Sequence, residues 1–112
     1  MVVYEQRIIK PLFKFQAVKI SEFQNLIRDL YFTKDSKRGI ENTFIWFVEE
    51  VGELARAIKT GENTGEEFAD VLAWLLSLAN LCNVDVENEV KAKYPGLCIK
   101  CSSNPCKCEE VM

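Results

Sequence analysis

A chain of 112 residues, 48% apolar and 28% charged, is long enough for one compact domain with a single core and too short for two ordinary ones. Its 14 Lys and Arg against 17 Asp and Glu give a net charge of −3, which argues against direct nucleic-acid binding because no cationic excess is left to neutralise phosphates. Histidine is absent, so the commonest general base and metal ligand is missing and any chemistry falls to carboxylates, thiols or lysines.

Residues 1–19 show no clear hydrophobic period and stand as an unassigned N-terminal extension. Glu5, Arg7, Lys10 and Lys14 interrupt every stretch there that could serve as the apolar part of a signal peptide. The longest apolar run, around residues 71–79, falls far short of the roughly 20 residues of a spanning helix. The expectation is a cytoplasmic protein with no membrane partner.

From Ser21 the pattern sharpens. Ser21 and Gln24 have capping-box spacing, and Phe23, Leu26, Ile27, Leu30 and Tyr31 repeat on one face, which predicts a first helix over residues 21–32. Residues 33–39 are polar, basic and turn-prone, and read as a loop. A second helix is expected over 40–59. At about 100° per residue, Phe44, Phe47, Val48, Val51, Leu54, Ala55 and Ile58 form its apolar stripe, while Trp46, Glu49, Glu50 and Glu53 lie on the other side. Gly52 is its weak position, either a plain cost in propensity or a place where another backbone comes close.

Gly61 is the C-cap candidate, and Asn63 or Thr64 the next N-cap. A third helix over 65–82 puts Phe68, Leu72, Leu75, Leu76 and Ala79 on one side and Glu67, Asp70, Trp74 and Ser77 on another; Cys82 reads as a core residue. A short fourth helix over 86–93 begins at Asp85 and stops at Tyr94, Pro95 and Gly96. The fold class is therefore all-α, an antiparallel bundle of three to four helices over residues 20–95. Its modest core makes completion by oligomerisation, as a homodimer or homotetramer, physically reasonable.

The short turn at Gly61 makes helices two and three an antiparallel pair, with Glu53 and Asp70 nearly equidistant from it and Glu50 and Glu67 one turn away. Four carboxylates brought together would repel and lose hydration, and a hard divalent cation, Mg²⁺ or Mn²⁺, offsets both costs. A solvated acidic face is the plainer alternative, and Glu67 alone could be the third residue of a Thr64 capping box. Trp46 and Trp74 fit a solvated stripe poorly; they suit a stacked nucleobase, core packing or a subunit contact.

Glu49-Glu50-x-x-Glu53 followed by Glu67-x-x-Asp70, with Lys34-Asp35, Arg38-Gly39, Trp46 and Lys93-Tyr94 around them, resembles the signature of the MazG-like nucleotide pyrophosphohydrolases, an all-α family of NTP pyrophosphatases. The resemblance implies Mg-dependent hydrolysis of a nucleoside triphosphate between its α and β phosphates, to a monophosphate and pyrophosphate. It implies Glu50, Glu53, Glu67 and Asp70 as metal ligands, with Glu49 behind them or positioning the attacking water. Lys34, Lys37, Arg38, Lys91 and Lys93 are candidates for phosphate oxygens, with ordinary surface charge as the alternative. Phosphoribosyl-ATP is a rival substrate, and a non-catalytic binding or regulatory module is the reading from a different class.

Residues 96–112 differ in composition from the rest. Cys98-x-x-Cys101 and Cys106-x-Cys108 supply the four thiols of a tetrahedral Zn²⁺ site, although free thiols or a redox disulfide would use the same residues.

Overall fold

The computed structural model describes residues 18–109, so most of the unassigned extension lies outside the described residues. Within them the chain forms α1 (Ile20–Arg38), α2 (Ile40–Thr60), α3 (Thr64–Leu81) and α4 (Val86–Lys93), with no strand. The helix α3 packs against both α2 and α1, and α4 docks on α1. No single described helix is long and apolar enough to cross a membrane.

The breaks are short and chemically plain. One residue, Gly39 at φ 87°, separates α1 from α2; its N–H donates to the Asp35 carbonyl, and its carbonyl accepts from Thr43 at 3.0 Å. Only glycine takes this backbone without strain. At the second break Gly61, φ 77°, closes α2 in the left-handed conformation. Asn63 precedes α3, and the Thr64 hydroxyl donates to the Ala57 carbonyl at 3.3 Å. Thr64 is thus the first helical residue, and no capping box holds Glu67. The start of α4 is as expected, the Asp85 carboxylate accepting from the Asn88 N–H at 3.1 Å.

Three expectations about helix ends and caps fail for physical reasons. First, residues 33–38 are the end of α1 and not a loop. Their turn-like composition is a helical one: Lys37 and Arg38 complement the C-terminal dipole, and Asp35 turns inward to accept from Arg38 at 2.8 Å. Second, α1 is capped by Lys19 and Glu22, with the Lys19 N–H donating to Glu22 at 3.0 Å. Gln24 is buried instead, and its amide donates to Asn80 Oδ1 and the Val84 carbonyl while its oxygen accepts from the Val86 N–H. Third, Cys82 follows α3 as an exposed C-cap.

The core is thin. Among the described residues the buried apolar side chains are Ile27, Ala57 and Leu76, against buried polar Gln24, Asp35, Thr43, Ser77 and Asn80. The face that α2 turns inward is Thr43, Phe47, Glu50, Leu54 and Ala57, at helical spacing. Much of the expected apolar stripe points away, with Phe44, Val48, Val51 and Ile58 exposed, as are Leu30 on α1 and Phe68 on α3.

Candidate active site

The inward position of Glu50 brings it to the acids of α3. One carboxylate oxygen from each of Glu50, Glu67 and Asp70 lies within 4.8 Å of the others. Glu67 Oε1 is buried with no hydrogen-bond partner. Burial comes first, and the surrounding negative charge second, in pushing all three carboxyls above their ordinary range. Glu50 feels Asp70, Glu67, Glu53 and Glu49; Glu67 feels Asp70, Glu53 and Glu66; Asp70 feels Glu66. An orphaned oxygen among mutually repelling hard donors fits a divalent cation such as Mg²⁺. Asp70 is exposed, as are Glu53 and Glu49, which stand outside this trio but close enough for their charge to act on it.

Beside Asp70 opens a cleft of about 320 Å³, walled by Tyr31, Lys34, Asp35 and Arg38 of α1 and by Ala73, Trp74 and Ser77 of α3. Arg38 is held from several sides. It donates to Asp35 at 2.8 Å and reaches Thr43 at 3.4 Å, and its guanidinium lies 4.9 Å from the Trp74 ring centre. Trp74 in turn stacks on Trp46, centroids 6.0 Å apart and 16° from parallel. The fixed cation and aromatic face stand next to the acids, a combination suited to a phosphorylated ligand with a planar group.

Of the residues singled out from the sequence, Lys34, Arg38, Trp74 and Asp70 line this cleft, with Trp46 stacked behind Trp74. Lys91 and Lys93 do not: Lys91 pairs with Glu87 at 3.6 Å and Lys93 lies over Tyr94, on the helix docked near the start of α1. Tyr31, Asp35, Ala73 and Ser77 are the wall residues to which sequence reading assigns no functional role. The signal for Tyr31 and Asp35 is their helical spacing with Lys34 and Arg38, which marks one face of a longer α1; Ala73 and Ser77 follow Asp70 at the same kind of spacing on α3.

A second cluster lies in the tail, where one sulfur from each of Cys98, Cys101, Cys106 and Cys108 falls within 4.8 Å of the rest. The Lys107 N–H draws Cys101 down to about 6, the backbone amides of Cys101 and Lys100 lower Cys98, and Cys108, sharing hydrogen bonds with Cys106, is raised to about 12.

A search of curated proteins found no match. A family model described as the MazG nucleotide pyrophosphohydrolase domain matches residues 38–101. That stretch is more than half of the chain and contains Arg38, both tryptophans and every acid of the α2–α3 cluster. The all-helical fold agrees with the match, and the chain belongs to the MazG nucleotide pyrophosphohydrolase family.

Proposed function

We propose that the protein is a Mg²⁺-dependent nucleoside triphosphate pyrophosphohydrolase that cleaves the α–β phosphoanhydride of canonical or modified (d)NTPs. The observation that carries this reading is the convergence of Glu50, Glu67 and Asp70 next to a cleft lined by Arg38, Lys34 and Trp74. In the reaction, water adds across the α–β anhydride: one of its two phosphorus atoms gains a bond to the water oxygen, its bond to the bridging oxygen breaks, and nucleoside monophosphate and pyrophosphate leave.

Glu50, Glu67 and Asp70 would hold the cation, with Glu53 as the fourth acid. Bound there, Mg²⁺ or Mn²⁺ supplies Lewis-acid stabilisation of the leaving pyrophosphate and lowers the pKa of water. Arg38, already oriented by Asp35, and Lys34 offer positive charge to phosphate oxygens, while Trp74, flanked by Arg38 and Trp46, gives the cleft an aromatic wall beside them. Glu49 is suited to orienting the attacking water or accepting its proton. We place Lys91 and Lys93 outside substrate contact in a single chain, because neither lines the cleft.

The chain is also read as cytoplasmic and self-associating. Phe44, Val48, Ile58 and Phe68 are 52%, 51%, 59% and 56% exposed, more apolar surface than a small bundle gains by leaving in water. Light scattering on a sizing column should return a dimer or tetramer; a monomer at every concentration would remove this part of the reading.

The activity is tested by incubating the protein with Mg²⁺ and a panel of canonical and modified triphosphates together with phosphoribosyl-ATP. Monophosphate and pyrophosphate from a nucleoside triphosphate are expected. Orthophosphate as the sole product, or no product from any member, would overturn the assignment, and turnover of phosphoribosyl-ATP alone would transfer it to that substrate.

A further inference from the structure

The C-terminal segment after α4 has no helix or strand through residue 109, and its apolar side chains are not buried: Leu97 is 49% and Ile99 53% exposed. Its folding therefore has almost no hydrophobic contribution. It is nevertheless a closed turn. The Cys98 N–H donates to the Ser103 carbonyl and the Ser102 N–H to the Cys98 carbonyl, both at 2.9 Å, and Asn104 donates to the Gly96 carbonyl at 3.0 Å.

The turn gathers the four tail thiols. Cys98 and Cys108 sulfurs are 3.8 Å apart. That is far beyond a disulfide's roughly 2.0 Å, and it equals the edge of a tetrahedron whose centre-to-sulfur distance is the roughly 2.3 Å of a Zn–S bond. Backbone amides are aimed at the sulfurs as well. Lys100 N–H donates to Cys98 at 3.3 Å and Cys108 N–H to Cys106 at 3.3 Å, the same two-residue step in each half. The Lys107 N–H crosses from one half to the other, reaching Cys101 at 3.2 Å. A neutral thiol sulfur is a weak acceptor, so three such bonds suit thiolates. Four thiolates around Zn²⁺ carry an excess of negative charge, which these amides and the neighbouring Lys100 and Lys107 offset.

We propose that Cys98, Cys101, Cys106 and Cys108 form a tetrathiolate zinc site that closes the C-terminal segment of this protein. All four positions around the ion are taken by protein sulfur, so the site is structural and leaves no place for substrate or water. Binding releases the protons of whichever thiols are still protonated, so occupancy rises with pH and needs no oxidant. The two clusters among the described residues differ in chemistry: the soft thiolates of the tail suit zinc, and the hard carboxylates on α2 and α3 suit the magnesium of the proposed function. The ion supplies the order that the missing core cannot.

The test uses the full chain, purified under reductant without chelator, with metals measured by plasma mass spectrometry. About one zinc per chain is expected, either as isolated or after anaerobic addition of zinc. Cobalt in its place should give the thiolate charge-transfer and ligand-field bands of a tetrahedral sulfur site. The double variant Cys101→Ser/Cys106→Ser should lose zinc and those bands while keeping the helical circular dichroism of the bundle, and Glu67→Gln should retain zinc in full. Zinc far below one per chain after reconstitution, zinc that survives the double Cys variant, or iron in place of zinc would each overturn the proposal.

Discussion

Where α4 docks, every polar group named in the interior has an answer: Gln24 bonds Asn80, Val84 and Val86, Asn80 Nδ2 donates to the Gln24 carbonyl at 3.3 Å, and Glu87 accepts the Ser21 N–H at 2.8 Å. Eleven residues further along α1, roughly 16 Å at 1.5 Å per residue, the interior is different. There Asp35 Oδ2 and Glu67 Oε1 are buried without a partner, and three carboxyls crowd together. A satisfied polar network stabilises and specifies a fold, whereas an unsatisfied one costs stability that only a ligand can return. The first end is built to hold the helices together, the second to receive something.

If that division is right, variants at the two ends should fail in different assays. Glu67→Gln or Asp70→Asn should lower turnover by at least about 100-fold, the loss of several kcal/mol of charge stabilisation, while the helical signal is kept. Gln24→Ala should do the reverse. It strands Asn80 Oδ1, the Val84 carbonyl and the Val86 N–H, for a cost of about 3 kcal/mol and a fall in melting temperature on the order of 10 °C, with little change in kcat at low temperature.

A smaller effect concerns Glu87, whose carboxyl is held below its ordinary range chiefly by the Ser21 N–H. Its stabilisation is present above the usual carboxylate pKa and is lost as pH falls through the depressed value. Glu87→Gln should therefore melt a few degrees lower at neutral pH, and the gap should close in acid. The smallest effect is expected at Gly52, where an added Cβ would meet nothing within 4 Å in this chain. Gly52→Ala should stabilise an isolated chain by up to about 1 kcal/mol; a loss of stability coupled to a change in oligomeric state would instead place a partner's backbone against α2.

Much of this was legible from residue types alone. Gly61 and Asp85 mark their breaks by elementary capping chemistry, and α4 begins and ends where Asp85 and Tyr94 put it. The acidic spacing on α2 and α3 predicts that four carboxylates meet; Glu50, Glu67 and Asp70 do so, while Glu53 stands apart. Most of what the sequence hid has one cause: the interior of the described residues is largely polar. Hydrophobic periodicity assumes that apolar residues point inward, so it assigned Leu30, Val48 and Ile58 to a core that they do not enter. Gln24, read as a cap from its spacing to Ser21, and Asp35, read as a loop residue from the polar run around it, are both buried. The cleft wall on α1 was missed with them, since Tyr31, Lys34 and Arg38 look like a wall only once the helix is known to continue.

The central claim is that the unsatisfied end of the bundle is a cation site, and thermal unfolding with and without Mg²⁺ or Mn²⁺ tests it most directly. Glu50, Glu67 and Asp70 have folded-state pKa values above their unfolded ones, so the metal-free protein loses stability as pH rises from the ordinary carboxylate range through the raised values. At neutral pH the cation should raise the melting temperature of the native chain, the rise should shrink as pH falls into that range, and metal-free Glu67→Gln should melt above the metal-free native protein without responding to the ion. Equal responses in the native chain and Glu67→Gln, or none in either, would contradict the claim.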